Sequence, residues 1–409
     1  MTPRMLYKAY QTQTDMMSSV RAFAELSAHA IRALPPSFAE HVLFRNLTAG
    51  SEMLARAGLT HERPPFGIET VMVGNAEVPV HEEPALVTPF GTVLHFAKAI
   101  DAPQPRVLVV APLSGHFATL LRETVRTLLP EHDVYLTDWH NARDIPLAEG
   151  RFGFDEYIDH VIRFLQHIGP GAHLVAVCQP CVAGLAATAV MAEAGDPCTP
   201  RSLTLIAGPI DTRINPTTVN ELATGRPIGW FECNFISKVP GRYPAAGRRV
   251  YPGFLQLTAF MSMNLDRHVR SHSELYANLA NGDIAKAGAT KTFYDEYFAV
   301  LDLTAEFYLE TVERIFQQHL LARGLLEYQG RLVDPRAIKR TSMLTVEGER
   351  DDICSAGQTL AAHDLCRSIK PYRKRHHLQP GVGHYGVFSG RRWQSQIYPL
   401  VRNTILSSD

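Results

Sequence analysis

From Arg106 onward the chain keeps one rhythm, in which a short, wholly apolar run gives way to a turn and then to a stretch of helical periodicity. The runs are Val107 to Ala111, Val134 to Asp138, His173 to Val177 and Leu203 to Ala207. Helical stretches fall between them, at Phe117 to Leu129, Tyr157 to Ile168 and Cys181 to Ala192. Strands without polar alternation are buried on both faces, and alternation with helices supplies the cover. The pattern therefore predicts a mostly parallel sheet with helices on either side. The rhythm breaks after Pro209 and resumes at Ser342 to Val346. A helix is expected over Ser355 to Cys366, a short strand near Arg375 to Leu378, and a last helix from Arg391 to Ile405. The intervening stretch, rich in proline loops and aromatics, reads as an insertion over the sheet.

Upstream, Ser18 to Leu34 is helix-friendly until Pro35-Pro36 stops it, and Phe38 to Ala57 forms a second helical run. Ile68 to Val73, Ala85 to Val87 and Thr92 to Ala97 are short, β-branched and separated by turn residues, so they read as antiparallel strands. The expected division is a helical extension over 1–65, a sheet-bearing core over 66–211 and 341–409, and a cap over 212–340.

Within the third apolar run, Val175-Ala176-Val177-Cys178-Gln179-Pro180 places a cysteine where a strand turns sharply into a helix. A nucleophile in such a turn stands clear of the sheet edge, and crowding demands small residues two places on either side. Ala176 supplies one; Pro180 supplies the other and suits the first turn of a helix. The adjacent helix N-terminus would favour a thiolate at Cys178. Asp351 lies just past the strand Ser342 to Val346, in a Gly-x-x-Asp turn, with Asp352 as its nearest rival, and His384 stands on a glycine-flanked loop further on. The order nucleophile, acid, histidine on those elements is that of the α/β-hydrolase fold, which we take as the expected architecture. Oxyanion donors are expected from the backbone N–H of Gln179 and from the loop Pro112 to His116. Ser114 is the candidate there and Leu113 the alternative. The competing reading of Cys178-Gln-Pro-Cys181 is a dithiol redox motif, which leaves the Asp351 and His384 turns unexplained.

Composition excludes several classes. Forty basic against 41 acidic residues, a net charge of -1, gives no cationic excess for nucleic acid. No run approaches the length of a spanning helix, and Met1 to Thr14 lacks a secretory h-region. Six cysteines in 409 residues are too sparse for a disulfide framework, so a cytoplasmic protein with free thiols is expected. The histidines show no metal-ligand spacing, and no metal is expected.

Several segments resemble the intracellular polyhydroxyalkanoate (polyhydroxybutyrate) depolymerases. They are Met5-Leu-Tyr-Lys-Ala-Tyr-Gln11, Ala176-Val-Cys-Gln-Pro180, Asn264-Leu-Asp-Arg-His268, Phe293 to Asp302, Ala305 to Thr311, Gly348-Glu-Arg-Asp-Asp352 and Gly383-His384. The resemblance spans nearly the whole chain and implies cleavage of 3-hydroxyalkanoate esters in stored polymer by a Cys178, Asp351 and His384 triad. It implies a granule surface as partner and no cofactor, with either water or the thiol of coenzyme A as acyl acceptor. Polymer synthases, more distant relatives, carry glycine where this chain has Ala176 and Pro180. A synthase-like acyltransferase, a short-chain esterase and a non-catalytic granule-binding protein are the alternatives. Trp230, Phe231 and Phe254, with exposed members of the Phe293 to Phe316 aromatics, are the expected polymer-facing groups. Whether the chain forms a homo-oligomer is left open.

Overall fold

The computed structural model describes residues 3–100, 103–263 and 265–409; Asn264 of the motif quoted above lies outside the described residues. Nine strands form one sheet: β1 (Thr70–Val73), β2 (Ala76–Val87), β3 (Gly91–Lys98), β4 (Arg106–Val110), β5 (Asp133–Trp139), β6 (His173–Val177), β7 (Ser202–Ile206), β8 (Ser342–Gly348) and β9 (Lys374–Gln379). Their spatial order is β1-β2-β3-β5-β4-β6-β7-β8-β9. Strands β1 to β3 and the β3–β5 pair are antiparallel, and every pairing from β5 to β9 is parallel. Every residue of β6, β7 and β8 is buried, as sheet strands covered on both faces must be. This is the α/β-hydrolase order, with the predicted elbow at the centre of the parallel half.

The helices used below are α1 (Pro3–Arg32), α2 (Val42–Arg56), α3 (Phe154–Ile168), α4 (Pro180–Glu193), α5 (Gly253–Met263), α6 (Leu265–Asn281), α7 (Ile284–Tyr297) and α8 (Tyr398–Leu406). Helix α4 is apolar all round and is buried at 11 positions, from Pro180 to Ala189 and at Met191. A helix of that kind belongs inside a core, not on a surface. Gly184 lets it approach β6, since a Cβ there would touch Ala176 Cβ at 3.4 Å.

Several boundaries differ from the sequence reading. Helix α1 begins at Pro3, not near Ser18, because Tyr7 is fully buried and anchors its first turns. The second helical run is split into Pro36–Ala39 and α2. Strand β2 runs twelve residues despite Pro84, which sits where β2 has outrun β1 and where the β2–β3 register shifts. The helix expected over Ser355 to Cys366 is only Ala362–Leu365. The preceding amides instead wrap the buried Glu347 carboxylate, which accepts from Gly357 N–H at 2.8 Å, Thr359 N–H at 2.7 Å and Leu360 N–H at 2.9 Å. The last helix is interrupted by a wider turn, Trp393–Ile397, ahead of Pro399. A proline cannot donate the amide that a regular helix needs there.

Between β7 and β8 no described residue joins the nine-stranded sheet. This segment carries α5, α6 and α7 and a small three-stranded sheet of Ser237–Lys238, Arg249–Tyr251 and Leu303–Thr304. Asp302, fully buried, ties it to α1 and to the β5 side of the molecule. Its carboxylate accepts the Tyr7 hydroxyl and the Gly253 N–H, and its own N–H donates to Asn141 Oδ1 at 3.0 Å. Burial pushes this carboxyl up to about 6, although the bonds from Tyr7 and Gly253 pull the other way. A carboxyl held above its ordinary 3.8 keeps its proton longer in the folded state. Its contribution to stability is complete below that value and lost as pH rises through about 6. The loss is on the order of 3 kcal/mol. Asp302→Asn should therefore gain thermal stability relative to wild type as pH is raised from about 4 to about 7. Parallel melting curves for the two proteins across that range would show the carboxyl carries no such linkage.

Candidate active site

Strand β6 ends on Cys178, whose backbone is left-handed at φ 67°. Its N–H still completes the ladder to Ile206 O at 2.7 Å, and its carbonyl accepts from Cys181 N–H at 3.1 Å as α4 begins. The turn thus lifts one half-buried thiol off the end of the sheet. The next strand end repeats the conformation at Ala207, φ 49°. Gly208 follows, and a Cβ there would lie 2.1 Å from Cys181 Cβ. No other residue fits between the two strand ends. The sequence reading passed over Gly208, whose only signal is its place immediately after an apolar strand.

After β8, Asp351 lies in a tight turn with its side chain fully buried. One carboxylate oxygen accepts Ile353 N–H at 2.9 Å and Cys354 N–H at 2.8 Å. The other stands 2.8 Å from His384 Nδ1. That contact occupies one imidazole nitrogen and leaves Nε2 free to serve the Cys178 thiol, which is near enough to act on the ring. Burial alone would push the imidazole down, but the charges of Asp351 and Cys178 outweigh it and hold His384 well above its usual value. Asp352, the rival position, is exposed. The structure thus brings Cys178, His384 and Asp351 together from three separate loops at the C-terminal edge of the parallel strands.

The loop after β4 faces the elbow. Leu113 N–H points to Gln179 Oε1 at 3.4 Å, which engages the alternative oxyanion donor, while Ser114 is half-buried beside it. Gln179 itself is buried, and its side-chain Nε2 has no hydrogen-bond partner among the described residues. Gly115, at φ 95°, lets α5 approach, since a Cβ would come 2.9 Å from Gln256. The Gly115 carbonyl accepts Leu301 N–H at 3.0 Å, so the inserted segment pins this loop.

A cavity of about 650 Å³ opens against His384 and Tyr385. Its walls are Phe260, Phe293, Tyr294 and Tyr297 from the inserted segment, with Val382 and Ile353 from the sheet side. The structure does not bring the three predicted substrate aromatics here. Phe231 packs with Ala223 and Val312, Trp230 against that cluster, and Phe254 stacks on Tyr10 at 4.1 Å. Trp230 and Phe231 hold the insertion together internally, and Phe254 fastens it to α1, because each sits on a helix face turned toward neighbouring apolar residues. Tyr294, Tyr297 and Phe307 are also buried, whereas Phe293 is 38% exposed. His116 was not anticipated. It is buried, stacks on Tyr297 at 5.1 Å, and burial pushes its imidazole down to about 4.

Cys181 is fully buried, with its thiol directed to Ala176 O at 3.3 Å and Ile206 O at 3.5 Å. Burial raises it well above its ordinary value. All six cysteines are free, and no disulfide joins the half-buried Cys178 to the buried Cys181. Among the described residues no cluster of His, Cys, Asp and Glu could hold a metal ion, and no helix is long and apolar enough to cross a membrane.

The strand order, the left-handed elbow and the buried Asp–His pair place this chain among the α/β-hydrolases. Residues 207–409, which carry Asp351, His384 and the inserted segment, match the family described as PHB de-polymerase C-terminus. Over that half the chain belongs to this family, in agreement with the resemblance read from the sequence. No curated protein sequence matches the chain. Solved structures similar to it include 2-hydroxy-6-oxo-6-phenylhexa-2,4-dienoate hydrolase from Rhodococcus sp. strain RHA1, 11% identical, covering 80% of this chain and 99% of that one at TM-score 0.44. A monoacylglycerol lipase from Paleococcus ferrophilus is 14% identical, with 75% and 97% covered and TM-score 0.42. A thermophilic esterase from Thermogutta terrifontis is 14% identical, with 82% and 98% covered and TM-score 0.41.

The two elbow thiols should differ in reactivity. Brief treatment with iodoacetamide at neutral pH should label Cys178 and the exposed Cys233, while Cys181 and Cys354 stay unmodified until the protein is unfolded. His384→Ala should slow labelling of Cys178 and leave Cys233 unchanged. Peptide mass spectrometry reads both; equal labelling of Cys178 and Cys181 would contradict the geometry.

Proposed function

We propose that the chain is an intracellular depolymerase that cleaves ester bonds of poly(3-hydroxyalkanoate), typically poly(3-hydroxybutyrate), through an acyl-Cys178 intermediate. The observation that carries this reading is the left-handed Cys178 elbow beside the hydrogen-bonded His384–Asp351 pair, in a chain whose C-terminal half matches PHB de-polymerases.

His384 Nε2 takes the Cys178 proton, and Asp351 holds the ring in the tautomer that presents Nε2 to sulfur. Attack of the thiolate on the ester carbonyl forms the C–S bond and a tetrahedral oxyanion. The Gln179 N–H and a donor from the Ser114 loop receive that charge in this reading. Collapse breaks the C–O bond, and the leaving alkoxide takes the proton back from His384. A 3-hydroxyacyl thioester remains on Cys178. Water, or the thiol of coenzyme A, then adds with its proton going to His384, and the acyl group leaves the enzyme. No cofactor takes part in the bond cleavage.

Adsorption to an insoluble polymer needs exposed apolar area. Met16, Phe23 and Leu26 of α1, Leu43 and Leu47 of α2 and Leu265 and Val269 of α6 are all exposed. They offer such a surface on cytoplasmic storage granules, for a monomer or a homo-oligomer alike. Phe293 stands at the cavity mouth and would meet the entering chain.

Wild-type protein should release soluble 3-hydroxyalkanoates from native amorphous granules, and Cys178→Ala should release none. A protein that sediments with granules yet releases nothing would be the binding scaffold instead. Product analysis with and without coenzyme A distinguishes acids from acyl thioesters. Asp351→Asn should lower kcat by roughly three to four orders of magnitude, because the amide nitrogen cannot accept the His384 Nδ1–H. Asp352→Asn should cost far less; the reverse ranking would reassign the acid. Phe293→Ser should slow granule hydrolysis more than cleavage of a small soluble ester. Equal losses on both, with a lowered melting temperature, would make Phe293 a packing residue only.

A further inference from the structure

The cavity beside His384 mixes an aromatic wall with polar groups, and two arginines stand among them. Arg267 projects from α6 and Arg350 from the turn immediately before Asp351. Both side chains are exposed, and neither forms an ion pair with any described residue. Arg56, Arg63 and Arg122, by contrast, each hold a carboxylate. Asp352 lies on the same wall but has a partner of its own. Arg267 is near enough to Tyr294 and Tyr297 for its charge to act on both hydroxyls. Arg350 is fixed by its N–H to Val382 O at 2.9 Å, which joins the acid turn to the histidine loop.

We infer that this cavity is an anion-terminated acyl site, in which Arg267 and Arg350 hold the anionic end of a short hydroxyacyl chain while Phe260, Phe293 and Tyr297 cover its carbon skeleton. The inference rests on the function proposed above and deepens it. A neutral polyester interior gives a guanidinium nothing it cannot get from water, whereas a carboxylate or phosphate offers charge and a fork of acceptor oxygens. Two guanidiniums with no ion pair among the described residues, set beside an aromatic wall in a cleft of this size, are the recognition set of an amphiphilic anion. The free carboxylate at the end of a polyester chain has that chemistry, and so does the phosphate of a phosphorylated acyl acceptor. In either case the anion sets how far the acyl chain reaches toward His384, so the enzyme would favour ends over interior bonds.

The test measures binding, so that it does not depend on turnover. Cys178→Ala protein is titrated calorimetrically with the 3-hydroxybutyrate trimer as free acid, with its methyl ester, and with a nucleoside bisphosphate. The same titrations are made on the protein that also carries Arg267→Gln and Arg350→Gln. The trimer acid should bind roughly tenfold tighter than its methyl ester, and the two Gln substitutions should abolish that preference. Melting temperature should not move, since both arginines are exposed. Preference for the bisphosphate, lost with the same substitutions, would assign the anion to the acyl acceptor. Equal binding of acid and ester, binding of neither together with no binding of the bisphosphate, or a preference that survives the substitutions would overturn the inference. Hydrolysis of native granules by the wild type is scored separately, so failure of the depolymerase reading shows there and not in the titrations.

Discussion

Everything at the site depends on one residue being held in a conformation its side chain disfavours. A non-glycine residue in the left-handed region costs on the order of 1–2 kcal/mol, and Cys178 adopts it at φ 67°. The surrounding sheet fixes it from both ends. The Cys178 N–H is the last bond of the β6–β7 ladder, and its carbonyl is the first acceptor for α4. Shifting the residue toward ordinary β geometry would break one bond or the other inside a region where every strand residue is buried. The elbow also demands small neighbours. Ala176 lies beneath the helix, and Gly208 occupies space into which a single methyl group could not enter. Strain at the thiol is thus compensated by packing and hydrogen bonds that have no other role in the chemistry.

Beside it, two carboxylates organise the turns after β8 by gathering amides. Glu347 collects three backbone N–H groups and Asp351 two. A buried carboxylate left unpaired would be costly, and backbone donors are the means by which both are satisfied. For Asp351 the consequence is directional. With one oxygen committed to Ile353 and Cys354, the other is aimed at His384 Nδ1. The acid therefore acts through a geometry that its own turn dictates, and the histidine inherits its elevated basicity from charges on both sides.

The parallel half of the sheet was legible because wholly apolar runs between helices admit few other arrangements. Cys178, Asp351 and His384 stood out because each lies just beyond a strand end, where the fold exposes side chains. Other features left no such trace. The run 355–361 has helical composition, but Glu347 recruits its amides, and nothing local to those residues announces that competition. Trp230, Phe231 and Phe254 could not be told from surface aromatics, because their partners on α1 and the inserted segment are remote in sequence. Tyr7 illustrates the same limit: the helix reads from Ser18 in the sequence, and the contact that anchors its earlier turns is with Asp302, nearly three hundred positions away. Arg267 and Arg350 are unremarkable as residues, and only the shared cavity gives them meaning.

That long-range clasp has a consequence for the site. Asp302 fixes Gly253 at the start of α5, α5 packs over Gly115, and Leu301 N–H holds the Gly115 carbonyl. The loop that would supply the second oxyanion donor is therefore positioned from above by the inserted segment as well as from below by β4. Any displacement of that segment large enough to admit a bulky polymer must either leave Gly253–Leu301 in place or disturb the Ser114 loop with it. The bonds favour the first course, and they reach α7 as well: Glu296 pairs with Arg122, and Tyr297 stacks on His116 beside the Ser114 loop. Helix α6, which carries Arg267, packs chiefly on α2 and α7, so its wall of the cavity is the one tied least directly to the loop that would hold the oxyanion.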